Sequence, residues 1–153
     1  MTKLLAKDIM TKKVITINKN ATLAKLSELL IKNRISGVPV VDENGALAGI
    51  ITEADIIVKE CNLPLPLSFS YTFLEKFESY TKSTKEYFKT SVEEIMSTDL
   101  KVATENMPIN KVVNIMINNA INRLPVLDND NKLAGIISRA DIIKFMIAEN
   151  KKK

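Results

Sequence analysis

The sequence predicts an α+β fold: two β-α-β-β-α repeats related by pseudo-twofold symmetry, with a helical, aromatic-rich insert between them. Three observations carry this. The undecapeptide LAGIITEADII, residues 47–57, returns as LAGIISRADII, residues 133–143, with nine of eleven positions identical. A constant offset of 86 residues extends outward without a gap, pairing Ile9-Met10 with Ile95-Met96, Pro39-Val40 with Pro125-Val126 and Asp42 with Asp128. In each copy, apolar residues at helical spacing give way to two short extended runs separated by turn residues. One register held this long marks a tandem repeat. The chain then reads as one module: repeat 1 over residues 1–60, an inter-repeat segment over 61–90, and repeat 2 with a basic tail over 91–153.

Each element follows in order. Short strands are expected at Val14-Ile15-Thr16 and Leu100-Lys101-Val102. Thr22 can cap a helix whose Leu23, Leu26, Leu29 and Leu30 recur at helical spacing. Its counterpart opens with Pro108, a residue favoured in the first helical turn, ahead of Ile109, Val112, Val113 and Met116. The run Val38 to Val41, the turn Asp42-Glu43-Asn44-Gly45 and the run Leu47 to Ile51 make a hairpin. Repeat 2 puts Asp130-Asn131 at that turn, because Asn tolerates positive φ. A last helix starts at Thr52 or Glu53. A repeat of about 55 residues buries only a marginal core, so the two copies are expected to share one, sheet to sheet. Symmetry of that kind duplicates any cleft, so two related ligand sites are expected.

Residues 61–90 have no counterpart in either copy. Cys61-Asn62-Leu63-Pro64-Leu65-Pro66 stops a helix, and seven of the eight aromatic residues fall between Phe69 and Phe88. Phe73, Phe77 and Tyr80 fall on one helical face. A satellite helix packed on the module and a contact surface for a partner both fit this pattern.

Composition excludes several classes. Hydrophobic content of 46% with 26% charged residues is that of a folded domain. One cysteine precludes an internal disulfide framework, and no run approaches the length of a membrane-spanning helix. With no apolar leader at the start, a cytoplasmic location is the expectation. Net charge is +4, but Lys151-Lys152-Lys153 supply three of those charges, and no basic stripe accompanies them. Nucleic acid is therefore a disfavoured partner. The absence of histidine removes Ser–His and Cys–His relays and His-containing zinc sites. No catalytic residues, no metal site and no enzyme activity are expected.

The chemistry concentrates in Thr52-Glu53-Ala54-Asp55 and Ser138-Arg139-Ala140-Asp141, both S/T-x-x-D directly after an apolar strand. That pattern is a helix capping box. It also suits a nucleotide: helix N–H groups meet phosphate, and a short carboxylate accepts bonds from a sugar diol. Gly49 and Gly135 inside the preceding strands suggest close approach by a backbone or a ligand. The three arginines, Arg34, Arg123 and Arg139, all lie beside the repeated motifs, against nineteen lysines elsewhere, and arginine binds phosphate bidentately.

Duplicated G-h-P-V-h-D, then L-x-G-I-I-[ST]-x-x-D-I, each preceded by D/E-I-M, resembles a pair of cystathionine-β-synthase (CBS) domains, the Bateman module. The resemblance covers about residues 5–60 and 91–148. It implies a regulatory, energy-sensing role through AMP, ADP or ATP, with S-adenosylmethionine or NAD as further ligands. It implies also a homodimer built as a four-repeat disc, here through helices carrying Leu29, Ile31, Met116 and Ile117, and a regulated protein in trans. By that resemblance each cleft joins the S/T-x-x-D of one repeat to the G-h-P segment of the other. One site would take Thr52 and Asp55 with Arg123 and Leu124. Arg123-Leu124-Pro125 is similar to the phosphate-binding His-Arg-Leu-Pro of the AMP-activated kinase γ subunit, with Asn122 in place of the histidine. The other would take Ser138, Arg139 and Asp141 with Ser36, Gly37, Val38 and Thr16. Glu53 stands where Arg139 stands in the other copy, so phosphate is expected to bind more tightly at the Asp141 site. A structural or protein-interaction module with degenerate clefts is the alternative reading.

Overall fold

The computed structural model describes residues 4–61 and 86–151, so the helix expected around Phe73, Phe77 and Tyr80 lies outside the described residues. The order of elements is α1 (Ala6–Ile9), β1 (Ile17–Asn18), α2 (Leu23–Asn33), β2 (Gly37–Val41), β3 (Leu47–Thr52) and α3 (Glu53–Cys61), then a 3₁₀ turn (Val92–Glu94). The second repeat gives β4 (Ala103–Thr104), α4 (Ile109–Asn118), β5 (Arg123–Leu127), β6 (Leu133–Ser138) and α5 (Arg139–Asn150). Both expected β-α-β-β-α orders are present. Each forms a three-stranded sheet with its first strand parallel to its second, in the orders β1-β2-β3 and β4-β5-β6.

The first strands sit further along than expected. Ile17, not Val14 to Thr16, pairs with Val40, and Ala103, not Leu100 to Val102, pairs with Val126. Burial explains the shift: Ile17 is 5% exposed and Ala103 fully buried, whereas Ile15 keeps 37% of its surface in water. The helices follow the spacing. In α2 Leu23, Leu26 and Leu30 are buried, and the Thr22 hydroxyl accepts from the Lys25 N–H at 3.3 Å. Pro108 stands at the N-cap of α4, one position before its first helical residue. Both hairpin turns use positive φ, 78° at Gly45 and 59° at Asn131.

The described chain divides into two compact units, one of Thr16–Asp42 and Ala48–Thr98, the other of Met1–Ile15, Glu43–Leu47 and Asp99–Lys153. Each has its own cluster of buried residues. Ile17, Leu23, Leu26, Leu30, Val38, Val40, Ile51, Val92 and Ile95 make one, Ala6, Ala103, Val112, Met116, Leu124, Val126 and Ile137 the other. Tyr87 and Phe88, from the end of the inter-repeat segment, pack on the first core with rings edge to face at 5.7 Å.

These units cut across the sequence repeats. The D-I-M segment at the start of repeat 1 packs on the repeat 2 sheet, and the E-I-M segment at the start of repeat 2 packs on the repeat 1 sheet. Thr11 and Ile136 exchange backbone hydrogen bonds at 2.9 and 3.0 Å, and Ser97 and Ile50 do the same at 2.9 and 3.0 Å. Each segment thereby brings its methionine over the strand glycine. A Cβ built on Gly135 would lie 2.5 Å from Met10 Sδ, and one on Gly49 would lie 2.6 Å from Met96 Sδ. The close approach expected at these glycines is made by methionine, so the glycines give no support to a ligand.

Candidate functional site

Strand β3 runs directly into α3, and β6 into α5, so each S/T-x-x-D straddles a strand end and a helix start. The capping box forms in both copies. Asp55 Oδ2 accepts from the Thr52 N–H at 2.8 Å and its hydroxyl at 3.0 Å, and the Asp55 N–H donates to Thr52 Oγ1 at 3.4 Å. Asp141 Oδ2 accepts from the Ser138 N–H and hydroxyl, both at 2.8 Å, and the Asp141 N–H donates to Ser138 Oγ at 3.2 Å. One oxygen of each carboxylate therefore serves the cap. The other, Oδ1, accepts no hydrogen bond among the described residues. Both aspartates are half-buried.

The helix starts are also partly occupied. The Glu53 N–H donates to the Ser36 carbonyl at 2.9 Å, and the Arg139 N–H to the Asn122 carbonyl at 3.2 Å. The third N–H of each helix is taken by the cap hydroxyl. That leaves the second, on Ala54 and Ala140, which helix geometry provides with no intrahelical acceptor. A short carboxylate oxygen beside a helix-start N–H offers an acceptor and a donor in adjacent positions.

Within the first unit stand Thr16, Ser36, Gly37, Val38, Thr52 and Asp55; within the second stand Arg123, Leu124, Ser138, Arg139 and Asp141. Arg123 lies opposite Ser138 in the antiparallel β5–β6 ladder. Inside each unit the S/T-x-x-D thus adjoins the G-h-P segment of its own repeat. Val38 and Leu124 spend their side chains in the cores, at 1% and 0% exposure, so they can offer a ligand only their backbones. Arg139 is exposed and its Nε donates to the Ile121 carbonyl at 3.3 Å, which holds the guanidinium near the strand end. Glu53, at the same place in the other copy, is also exposed. Among the described residues no group of three or more His, Cys, Asp or Glu side chains could hold a metal, and no helix is long and apolar enough to cross a membrane.

A second surface feature lies on the helices. Ile31 and Ile117, 86 residues apart, are 78% and 68% exposed, and their equivalents on the last helices, Ile57 and Ile143, are 58% and 56% exposed. Of the other residues expected on this face, Met116 is in the second core and Leu29 packs against the first. In place of those two, α5 contributes exposed Met146 and Ile147 and buries no residue fully. The first unit has a groove of about 460 Å³ between α2 and α3, walled by Leu30, Ile31, Ile56 and Ile57 with Arg34 and Glu53 at its edge. The repeat offset pointed to Ile57 and Ile143, which the sequence reading did not use.

The CBS domain model matches residues 6–60 and 92–148, most of the chain and both copies of the motif. The chain belongs to the CBS domain family. An uncharacterized protein of Methanocaldococcus jannaschii is 36% identical over 94% of this chain and 92% of its own length. An inosine-5'-monophosphate dehydrogenase of the same organism is 30% identical over 91% of this chain, but the match spans only 23% of the enzyme, so this CBS pair corresponds to a small part of it. Among solved structures, the CBS domain pair of protein MJ0100 in complex with 5'-methylthioadenosine and S-adenosyl-L-methionine is similar at TM-score 0.70. It is 28% identical, and the match covers 96% of this chain and 98% of that one.

Proposed function

We propose that this CBS pair is a regulatory module that binds an adenosine-containing ligand at its S/T-x-x-D helix starts and alters a partner protein in trans. The half-used carboxylates of Asp55 and Asp141 carry the reading. A capping box needs one carboxylate oxygen, and the second can accept from a ribose diol while a helix-start N–H takes a ligand oxygen. The MJ0100 pair, with two adenosine-containing ligands, supports that ligand class. Thr52 and Asp55 serve the ligand at one helix start, and Ser138, Arg139 and Asp141 at the other. Arg139 favours phosphate at the second, and Glu53 repels it at the first, so AMP, ADP or ATP binds more tightly at Asp141. The uncovered faces of α2, α3, α4 and α5 suit a homodimer.

A thermal screen with AMP, ADP, ATP, NAD, S-adenosylmethionine and 5'-methylthioadenosine tests the ligand. At about 100 times Kd one site adds roughly 2.7 kcal/mol, a rise of several degrees in Tm. Calorimetry on Asp141→Asn then separates cap from site. Asparagine keeps an acceptor for Ser138, so the unliganded protein loses at most ~1 kcal/mol. Loss of the charged acceptor weakens nucleotide binding about ten- to hundredfold. Asp55→Asn weakens the other site and spares this one. If no compound stabilises the protein, the interaction-module reading takes its place.

A further inference from the structure

The last residues of the inter-repeat segment fasten α2 and α3 together. Residues 86–90 make a tight turn, in which the Lys89 N–H donates to the Glu86 carbonyl at 3.1 Å and the Thr90 N–H to the Tyr87 carbonyl at 2.9 Å. The Phe88 and Thr90 carbonyls accept from the Ala24 and Leu23 N–H groups at 3.0 and 2.9 Å, serving a helix start that has no intrahelical partners. The Tyr87 hydroxyl reaches α3 instead, donating to the Ile56 carbonyl at 2.8 Å in a half-buried position. A carbonyl has two lone pairs, so Ile56 can serve its helix and the phenol together. The Ile56 side chain and the rings of Tyr87 and Phe88 all pack on the first core. Ile56 directly follows Asp55, so the phenol holds the first turn of the helix that bears the half-used carboxylate. The second repeat keeps the backbone tie and lacks the phenol. Leu4, one repeat offset before Thr90, accepts from the Ile109 N–H at 3.1 Å, but that offset sets Met1, which has no hydroxyl, where Tyr87 stands.

We infer that Tyr87 is a positioning residue for the Asp55 site, and that its bond to Ile56 signals ligand at that site to the turn at residues 86–90. The inference rests on the ligand reading above. Coupling of this kind is reciprocal: if the anchored phenol favours ligand, bound ligand favours the anchored turn by the same factor. The Asp141 site has no such anchor, so the two sites differ in what they report as well as in what they bind.

Tyr87→Phe in the full chain tests it, keeping the ring and its edge-to-face contact with Phe88 and removing only the hydroxyl. Without ligand, hydrogen exchange is followed at the Ile56 and Ile57 amides, with Ile142 and Ile143, their equivalents in α5, as the control. Loss of one neutral hydrogen bond makes the first pair exchange about three- to tenfold faster. Unchanged rates there, or an equal rise at both pairs, overturn the anchor. Binding is then measured in an Asp141→Asn parent, which isolates the Asp55 site, with AMP and S-adenosylmethionine as probes. Adding Tyr87→Phe should weaken the bound probe about three- to tenfold. The probe should also slow exchange of the Thr90 amide in the parent and not in the Tyr87→Phe variant, a difference that a merely structural tyrosine would not give. Equal affinity, or Thr90 protection that survives loss of the hydroxyl, overturns the inference and leaves the ligand reading intact. Binding by the unmodified chain but not by the Asp141→Asn parent also overturns it, because no Asp55 site then exists. If neither probe binds the unmodified chain, the ligand reading falls and this inference falls with it.

Discussion

Gly49 and Gly135 occupy equivalent strand positions, yet their surroundings predict different responses to one added methyl. At Gly135 the nearest atoms are Met10 Sδ and Cγ, which can swing aside, with Cβ at 3.1 Å; at Gly49 the Ser97 carbonyl oxygen lies 2.9 Å away beside Met96 Sδ. A side chain can yield where a backbone cannot. Gly49→Ala is expected to cost about 1–3 kcal/mol, as overpacking does, and Gly135→Ala less. Adding Met10→Ala to Gly135→Ala relieves the crowding, so in a double-mutant cycle from denaturant midpoints the pair should be less destabilised than the two single effects summed. Strict additivity would mean that Met10 does not seat on Gly135.

At the scale of elements, helices α2 and α4 end alike. Arg34 and Ala120, one repeat offset apart, both have φ 52°. The Ile35 N–H reaches back to the Leu30 carbonyl at 3.1 Å, and the Ile121 N–H to the Met116 carbonyl at 3.0 Å. These closures satisfy helix carbonyls that would otherwise lack partners, and they turn the chain sharply into β2 and β5. Glycine is the residue that such a position favours, and neither repeat has it. For Ala120 the left-handed backbone costs about 1–2 kcal/mol, partly offset by the lower chain entropy of alanine in the unfolded state. Ala120→Gly is therefore expected to stabilise the protein by about 0.5 kcal/mol, visible as a higher urea midpoint at unchanged slope. A lower midpoint would mean that the Ala120 methyl contributes packing that outweighs its strain.

For the molecule as a whole, the uncovered isoleucines lie on helices of both repeats at matching positions. Such faces fit a twofold, isologous contact between copies. The expected mass in solution at tens of micromolar is that of a dimer. Ile117→Lys with Ile143→Lys should give a monomer, because two charges would then sit in the contact. The fold itself should barely change, since both side chains are more than half exposed and substitutions at such positions cost within about 0.5 kcal/mol each. Sedimentation and melting curves on the same sample separate the outcomes. A dimer that survives the double substitution would place its contact elsewhere.

The element order, both hairpin turns, the Thr22 cap and the two S/T-x-x-D boxes were legible in the sequence. Each depends on residues close together in the chain, where spacing and local chemistry decide conformation, and the repeat supplied a second reading of every motif. The family resemblance, which named the site residues, depended on the same local patterns. The starts of β1 and β4 were misjudged by a few residues because Val14, Ile15, Leu100 and Val102 satisfy strand propensity equally well. Only the parallel pairing with β2 and β5 selects Ile17 and Ala103 for burial. Tertiary structure alone decided which side of each helix remains uncovered, placing Met116 inside and Ile117 outside. It alone decided that the glycines accommodate methionine, and that each D/E-I-M segment completes the sheet of the other repeat. Periodicity along a chain records which residues avoid water, but not which distant strand edge receives them, because near-identical segments suit either sheet equally well.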